Sequence, residues 1–366
     1  MTYRFSALPA SPLLLALTRA ADALARLDER ILRSPIKDGF LKRQDFQDTI
    51  SSLWIDGDLV HLEDLVLHDA RMDIRAPTLE VVNAHRILRA RRLIADQPPP
   101  WALSDAGLSL LRGKQPRADG GDPEPIRQED SGRRDDADGA EFLGGELAEL
   151  DAALARSARR LSDLGRGEPA DAASAPDGYL HVAEPEDAEE QLFDRWRALL
   201  DQFRDYPPLL TAVLWLDAFS EMGALERSPW LGRLLCAAHL RQTLTGHLPP
   251  INIGLRAISR DKRRSRNQLD RVIAILDGIA QGAQAGLKEH DRLLNGKARL
   301  ERRLTGRRSN SRLPELVDLV LSSPVVSTSM IVKALGTTPQ GAVGLAEQLD
   351  LRELTGRGRF RAWGLL

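Results

Sequence analysis

Apolar residues recur at helical spacing along most of this chain. The pattern predicts an amphipathic helix over residues 11–32, opened by Ser11 as a cap and Pro12 in the first turn, then helices over 37–57, 60–70 and 77–94. The last opens with proline and ends among Arg89, Arg91 and Arg92, cations that suit the carboxyl end of a helix. Residues 1–112 are therefore expected to form one all-helical region. A second helical region follows at about 187–204, 208–222, 229–245 and 261–304. In its long final stretch Leu269, Val272, Ile273, Leu276, Ile279, Ala280, Ala283 and Leu287 share one stripe. That stripe serves either as core against the N-terminal helices or as the seam of a homodimer.

Between the two regions the periodicity breaks. Residues 113–140 and 165–187 are rich in Gly, Pro, Asp and charged or small residues and flank one helical stretch at 141–164. The span 113–186 is thus expected to be an acidic, largely disordered insert. Charge follows the same division, although the net charge is only −2. Residues 119–190 hold 21 acidic and 7 basic side chains, whereas 256–312 hold 16 basic and 6 acidic. Cys236 is the sole cysteine, which excludes an intrachain disulfide and a cysteine zinc site and suits a reducing cytoplasm, the expected location. The apolar run from Leu13 to Leu17 is too short to span a bilayer, so no membrane role is expected.

The C-terminal segment carries the most specific pattern. Ser327 caps a short helix with Met330, Ile331, Ala334 and Leu335 on one face, and Gly336 ends it. Thr337 or Thr338 caps the next helix, with Pro339 at its first position and Ala342, Val343, Leu345, Ala346 and Leu349 turned inward. Two β-prone runs surround Gly356-Arg357-Gly358, with Leu351, Leu354, Phe360, Ala362 and Trp363 as strand faces. This order predicts a winged helix-turn-helix over 312–366. In the expected mode the second helix enters the major groove of double-stranded DNA and presents Thr338, Gln340 and Gln348. Arg352, Arg357, Arg359 and Arg361 on the wing then hold phosphates. Residues 313–366 hold five basic and five acidic side chains, with no Lys or Arg within 338–349, so protein contact is the competing use of the same fold. Lys262, Arg263, Arg264 and Arg266, with Arg256, Arg260 and Arg271, form a candidate basic patch. It either adds phosphate affinity beside the winged helix, or is a solvated face or a dock for the acidic insert.

Two further segments resemble the Fic/DOC family, whose helical core transfers AMP or other phosphate-containing groups onto hydroxyls. Ser52-Leu53-Trp54-Ile55-Asp56-Gly57 is similar to that family's inhibitory motif, Ser/Thr-x-x-x-Glu followed by Gly or Asn. Leu209-Leu210-Thr211-Ala212-Val213-Leu214 with Phe219 resembles the helix before the family's signature, and Trp230-Leu231-Gly232-Arg233-Leu234-Leu235 resembles its close. Gly246-His247-Leu248-Pro249-Pro250, a long helix and a terminal winged helix continue the likeness, which covers about 45–235 and runs loosely to the end. The resemblance implies a mainly α fold with a Fic-like helical core at 187–305, and a pocket where Asp56 faces Arg233.

The signature itself departs from the family's His-x-Phe-x-Asp/Glu-Gly-Asn-Gly/Lys-Arg-x-x-Arg. Counting back from Arg233 puts Met222, or Gly223 after a one-residue slip, at the histidine, and Glu226 at the metal-binding acid. Arg227-Ser228-Pro229 then stands at Gly-Asn-Gly and Trp230 at the first arginine. No histidine lies between His181 and His239, and Pro229 offers no N–H to an anion. Of the implied pocket, Ser52, Asp56, Gly57, Glu226 and Arg233 remain.

The expectation is a mainly α protein that acts without catalytic residues, cofactor or metal as a DNA-binding or transcription-regulating protein on an inactive Fic-like scaffold, with any small-molecule ligand unassigned. Two alternatives from other classes stay open: a diverged nucleotide-binding or AMP/phosphoryl-group transferase, and a protein-interaction scaffold. His61 and His68, seven apart with Asp64 between them, lack a third convincing metal ligand and read as surface residues.

Overall fold

A computed structural model gives the fold and describes residues 10–73, 75–113, 185–225, 228–304, 312–355 and 361–365. The chain divides into a main unit, Met1–Pro99 with Leu192–Leu366, and a smaller one, Pro100–Gln191. The smaller unit contributes a 3-10 turn at Trp101–Leu103 and a helix at Asp105–Leu111, whose cap Ser104 accepts a hydrogen bond from the Gly107 N–H at 3.1 Å. Most of the expected insert, including its helical stretch, lies outside the described residues, as do 305–311.

The main unit is built of helices in the expected order. They are α1 (Ala10–Leu32), α2 (Lys37–Asp56), α3 (Leu62–Asp69) and α4 (Leu79–Asp96), then the short α5 (Asp105–Leu111) of the smaller unit, followed by α6 (Pro185–Leu199), which crosses the unit boundary. Next come α7 (Pro208–Met222), α8 (Pro229–Thr243), α9 (Ile251–Ala257), α10 (Arg260–Arg263) and α11 (Gln268–Leu304). The expected single helix over 261–304 is thus two, parted by a turn at Arg264–Asn267, where the Asn267 side chain accepts from the Leu269 N–H at 3.0 Å.

The apolar stripe of α11 is core, not a dimer seam. Val272, Leu276, Ile279, Ala283 and Leu293 are buried, and α11 packs along α1 on one side and α9 on the other. The α9 contact is backbone against backbone: a Cβ on Gly254 would lie 1.7 Å from the Gly278 carbonyl oxygen, and one on Gly282 would lie 2.3 Å from that of Pro250. Only glycine allows this approach. Helix α7 is apolar almost all round and correspondingly buried, with Trp196 Nε1 donating to the Trp215 carbonyl at 3.0 Å. Buried Arg271 of α11 makes a bidentate pair with buried Asp217 of α7 at 2.7 and 3.1 Å. Arg271 therefore does not belong to the basic patch.

The C-terminal elements form the expected winged helix: α12 (Leu313–Ser322), β1 (Val326–Ser327), α13 (Thr328–Leu335), α14 (Pro339–Gln348), β2 (Arg352–Glu353) and β3 (Ala362–Gly364). The sheet is antiparallel in the order β1-β3-β2, with Trp363 of β3 opposite Val326 and Glu353. It belongs to the main unit. Helix α12 packs against α2, where Arg43 Nη1 donates to the carbonyls of Val320 at 2.8 Å and Ser323 at 2.6 Å. From α11, Arg292 donates to the Leu365 carbonyl at 2.9 Å and Arg303 pairs with Asp350 at 2.7 Å.

Candidate nucleic-acid interface and an arginine-lined pocket

Caps and burial fix which face of the winged helix is offered to a partner. Ser327 accepts from the Met330 N–H at 3.2 Å and so starts α13, whose Ile331 and Leu335 are buried. Gly336, in the left-handed region at φ +58°, reverses the chain, and Thr338 caps α14 by accepting from the Gly341 N–H at 3.1 Å. Ala342, Ala346 and Leu349 are buried, Val343 and Leu345 half-buried. The opposite face leaves Thr338, Gln340, Glu347 and Gln348 in solvent. Exposed Arg352 stands on β2, and exposed Lys333 on α13 is a cation the sequence reading passed over. Leu354 is exposed and so is not the inward strand residue expected.

Arg361 departs from its expected role. Its guanidinium donates to Glu353 at 2.9 and 3.0 Å, lies 3.7 Å from Glu347 and sits over the Trp363 ring at 5.3 Å. Its charge is thus met by two carboxylates and a ring face of its own chain. Arg357 and Arg359 lie outside the described residues.

The two segments that resembled the Fic/DOC family meet, although they are 177 positions apart. Arg233 Nη2, in the first turns of α8, donates to Asp56 Oδ2 at 2.5 Å, Ser52 Oγ at 2.9 Å and the Ser52 carbonyl at 3.2 Å. The side chains are 8% and 16% exposed for Arg233 and Asp56, so solvent screens the pair weakly. Gly57, at φ +107°, ends α2 directly after Asp56. A Cβ on Gly232 would fall 2.4 Å from the Phe219 ring, so this glycine lets α8 cross α7. Around the departed signature, Gly223 is the left-handed cap of α7, Pro229 the first residue of α8, and buried Trp230 lies under Arg86 at 5.6 Å. Glu226 lies outside the described residues.

Beside this junction is a pocket of about 340 Å³. Trp54, Asp56 and Gly57 of the α2 end form one side; Arg256, Ser259, Arg260, Arg263 and Arg264 from α9, α10 and the following turn form the other. Arg256 stacks over Trp54 at 5.1 Å, and Arg263 Nε donates to the Ile258 carbonyl at 3.1 Å. Burial, then the neighbouring charges of Arg233 and Arg264, push the Arg263 pKa below its ordinary value, with Asp56 opposing. Lys262 and Arg266 are exposed and do not line the pocket. The patch precedes the start of α11, and Arg292 and Arg303 of α11, which hold the winged helix, lie at least about 30 Å further along that axis, whereas along α2 the winged-helix contact at Arg43 is about 20 Å from Asp56, at 1.5 Å per residue.

Buried polar contacts that the sequence reading missed hold the pocket's two sides together. Asp48 Oδ1 accepts from the N–H groups of Asn252 at 2.9 Å and Ile253 at 3.1 Å, and Oδ2 accepts from Asn252 Nδ2 and Arg91 Nη1, both at 2.8 Å. Arg91, expected as a helix-end cation, is buried and also binds Asp45 at 2.6 Å and the Leu248 carbonyl at 3.0 Å. The Gly246–His247 step is clasped too, its Gly246 N–H and His247 Nδ1 both meeting Asp28 Oδ1, at 2.8 and 2.9 Å. Among the described residues no three His, Cys, Asp or Glu side chains gather as for a metal ion; His68 instead contacts Asp73 at 3.0 Å. None of the described helices is long and apolar enough to cross a membrane.

Comparison with known proteins agrees with this architecture. Residues 181–305 match the family described as a protein of unknown function, DUF1612, and residues 313–366 match the HTH DNA binding domain. The protein y4cF of Sinorhizobium fredii (strain NBRC 101917 / NGR234), described as uncharacterized, is 43% identical over 386 residues, covering 100% of both chains. A Fic family protein from Desulfovibrio desulfuricans G20 aligns with 100% of this chain and 98% of its own at 14% identity and a TM-score of 0.49. The chain belongs to the family of y4cF and is itself mainly α, with a DUF1612 region followed by a C-terminal HTH domain.

Proposed function

We propose that this protein binds double-stranded DNA through its winged helix and regulates transcription without catalysing a reaction. The observation that carries the reading is the polar face of α14: Ala342, Ala346 and Leu349 lock one side into the core and leave Thr338, Gln340 and Gln348 outward, in a segment that matches an HTH DNA binding domain. Side-chain amides of this kind read adenine edges, while Arg352 and Lys333 meet phosphates. DNA being the partner, the cytoplasm is the working compartment in this reading, and a twofold dimer would place two such helices on paired half-sites. The non-enzymatic part rests on the sequence: no histidine between His181 and His239 serves as a base, and Arg233 is engaged by Asp56.

A mobility assay on the full chain at two salt concentrations tests it. Binding should weaken steeply with salt, and Arg352→Ala should reduce affinity on all sequences alike and shallow the salt slope by about 1. Gln340→Ala should change the preferred sequence instead. Absence of salt-dependent DNA binding by the parent chain would refute the proposal.

A further inference from the structure

The pocket between α2 and α10 has no part in the DNA-binding reading, and its chemistry is one-sided. Four arginines line it, Arg256, Arg260, Arg263 and Arg264, against one lining carboxylate, Asp56, which Arg233 already engages. Among the described residues no carboxylate pairs with Arg256, Arg260, Lys262 or Arg264, and Asp261 of α10 is not on the pocket wall. Like charges crowded without counter-charge cost free energy that a bound anion recovers. Burial first, and then the nearby charges of Arg233 and Arg264, hold the Arg263 pKa below its ordinary value. Nε of Arg233, buried behind Asp56, also has no hydrogen-bond partner.

We propose that this pocket is a binding site for a small phosphate-bearing anion, held by Arg260 and Arg264 with Arg263 behind them. Guanidinium forks match the paired oxygens of a phosphoryl group, and four of them suit a diphosphate better than a carboxylate. The concave shape favours a small molecule over a DNA backbone. The arginines involved follow α9 in sequence and are not those of the transfer signature that the Fic/DOC resemblance implied, where Trp230 stands and Arg233 is taken.

Titration calorimetry of the full chain with inorganic pyrophosphate, at ionic strength held constant with sodium chloride, tests the assignment. The expected result is saturable one-to-one binding that the exposed double change Arg260→Gln/Arg264→Gln weakens at least about tenfold, the loss expected when charge-assisted hydrogen bonds are removed. Lys288→Gln, an exposed cation elsewhere on α11, should leave it unchanged. Pyrophosphate should also alter tryptophan emission in the parent and not in Trp54→Phe, a readout independent of any loss of fold. Absence of saturable binding, or binding indifferent to the double change, overturns the proposal. So does the pattern in which pyrophosphate fails while the double change lowers affinity for duplex DNA, which would make the patch a DNA contact.

Discussion

Replacing Asp48 is expected to loosen α9 from α2 and, with it, one side of the arginine pocket. The carboxylate is 1% exposed and accepts four hydrogen bonds, two from backbone N–H groups at the start of α9, one from Asn252 Nδ2 and one from Arg91. Asp48→Ala leaves all four donors without that acceptor. Arg91 keeps Asp45 and the Leu248 carbonyl, so the main losses are the three donors of Asn252 and Ile253. At about 1–3 kcal/mol for each buried group left unsatisfied, offset by water entering the space, the expected cost is about 4 kcal/mol, a large share of an ordinary domain's stability. Asp48→Asn discriminates further. Its oxygen can take the place of Oδ1 and keep both backbone bonds, while its NH2 meets Arg91 and Asn252 Nδ2, two donors, so the expected cost is about 2 kcal/mol. Urea unfolding gives the totals, and hydrogen exchange at the Asn252 and Ile253 amides gives the local effect. These amides should lose protection in Asp48→Ala and keep most of it in Asp48→Asn. Equal protection in the two variants, or a cost under about 1 kcal/mol for Asp48→Ala, would refute the reasoning.

Asp56→Ala should lower stability by about 1–3 kcal/mol, because Arg233 keeps Ser52 but loses its counter-charge; incubation with labelled ATP should still leave the variant and lysate proteins unlabelled. Stability should fall as pH drops from about 6.5 towards 4. His239 is buried against the Trp215 ring at 4.3 Å, and burial pulls its pKa down to about 4, so over that window the unfolded chain binds the proton and the folded chain does not. His239→Phe should remove up to about 3 kcal/mol of that pH dependence, and an unchanged slope would show the ring to be solvated. Gly282→Ala should cost about 1–3 kcal/mol by driving a methyl into the Pro250 carbonyl. Gly344→Ala, with nothing within 4 Å of the added carbon, should raise stability by up to about 1 kcal/mol through helix propensity; thermal unfolding of the pair checks both.

Periodicity and capping residues made much of this fold legible. The 208–222 helix shows why: prolines and a glycine punctuate it, and Thr338-Pro339 does the same for α14. Helix α9 was missed because its seven residues lie between Pro250 and a polar turn and include Gly254, a poor helix former chosen here for its missing Cβ. Arg91 and Arg271 were misread for a related reason. Each looks like a surface cation in one dimension, and each is buried because a carboxylate from a distant segment, Asp48 or Asp217, meets it. The arginine cluster of the pocket was legible as charge but not as a cavity, since Trp54 and Asp56 reach it from 200 positions away or more. Arg361 had the opposite fate: its carboxylate partner Glu353 is eight positions distant across a hairpin, a pairing that cross-strand register could have signalled.

The residues that match the Fic/DOC pattern now divide by what they do. Gly232 lets α8 cross Phe219, Arg233 ties α8 to Ser52 and Asp56 of α2, and His247 is clasped by Asp28 of α1. Each of these holds two parts of the fold together, the last two across more than 170 positions, so changing any of them costs stability whether or not a reaction is catalysed. The positions that differ from the pattern carry structural duties here: Gly223 caps α7, Pro229 opens α8 and Trp230 is buried under Arg86, where the pattern has a proton acceptor, an N–H donor to phosphate and a cation. The likeness to that pattern therefore lies in residues that hold the fold together, in a scaffold whose α2 and α11 also hold the winged helix.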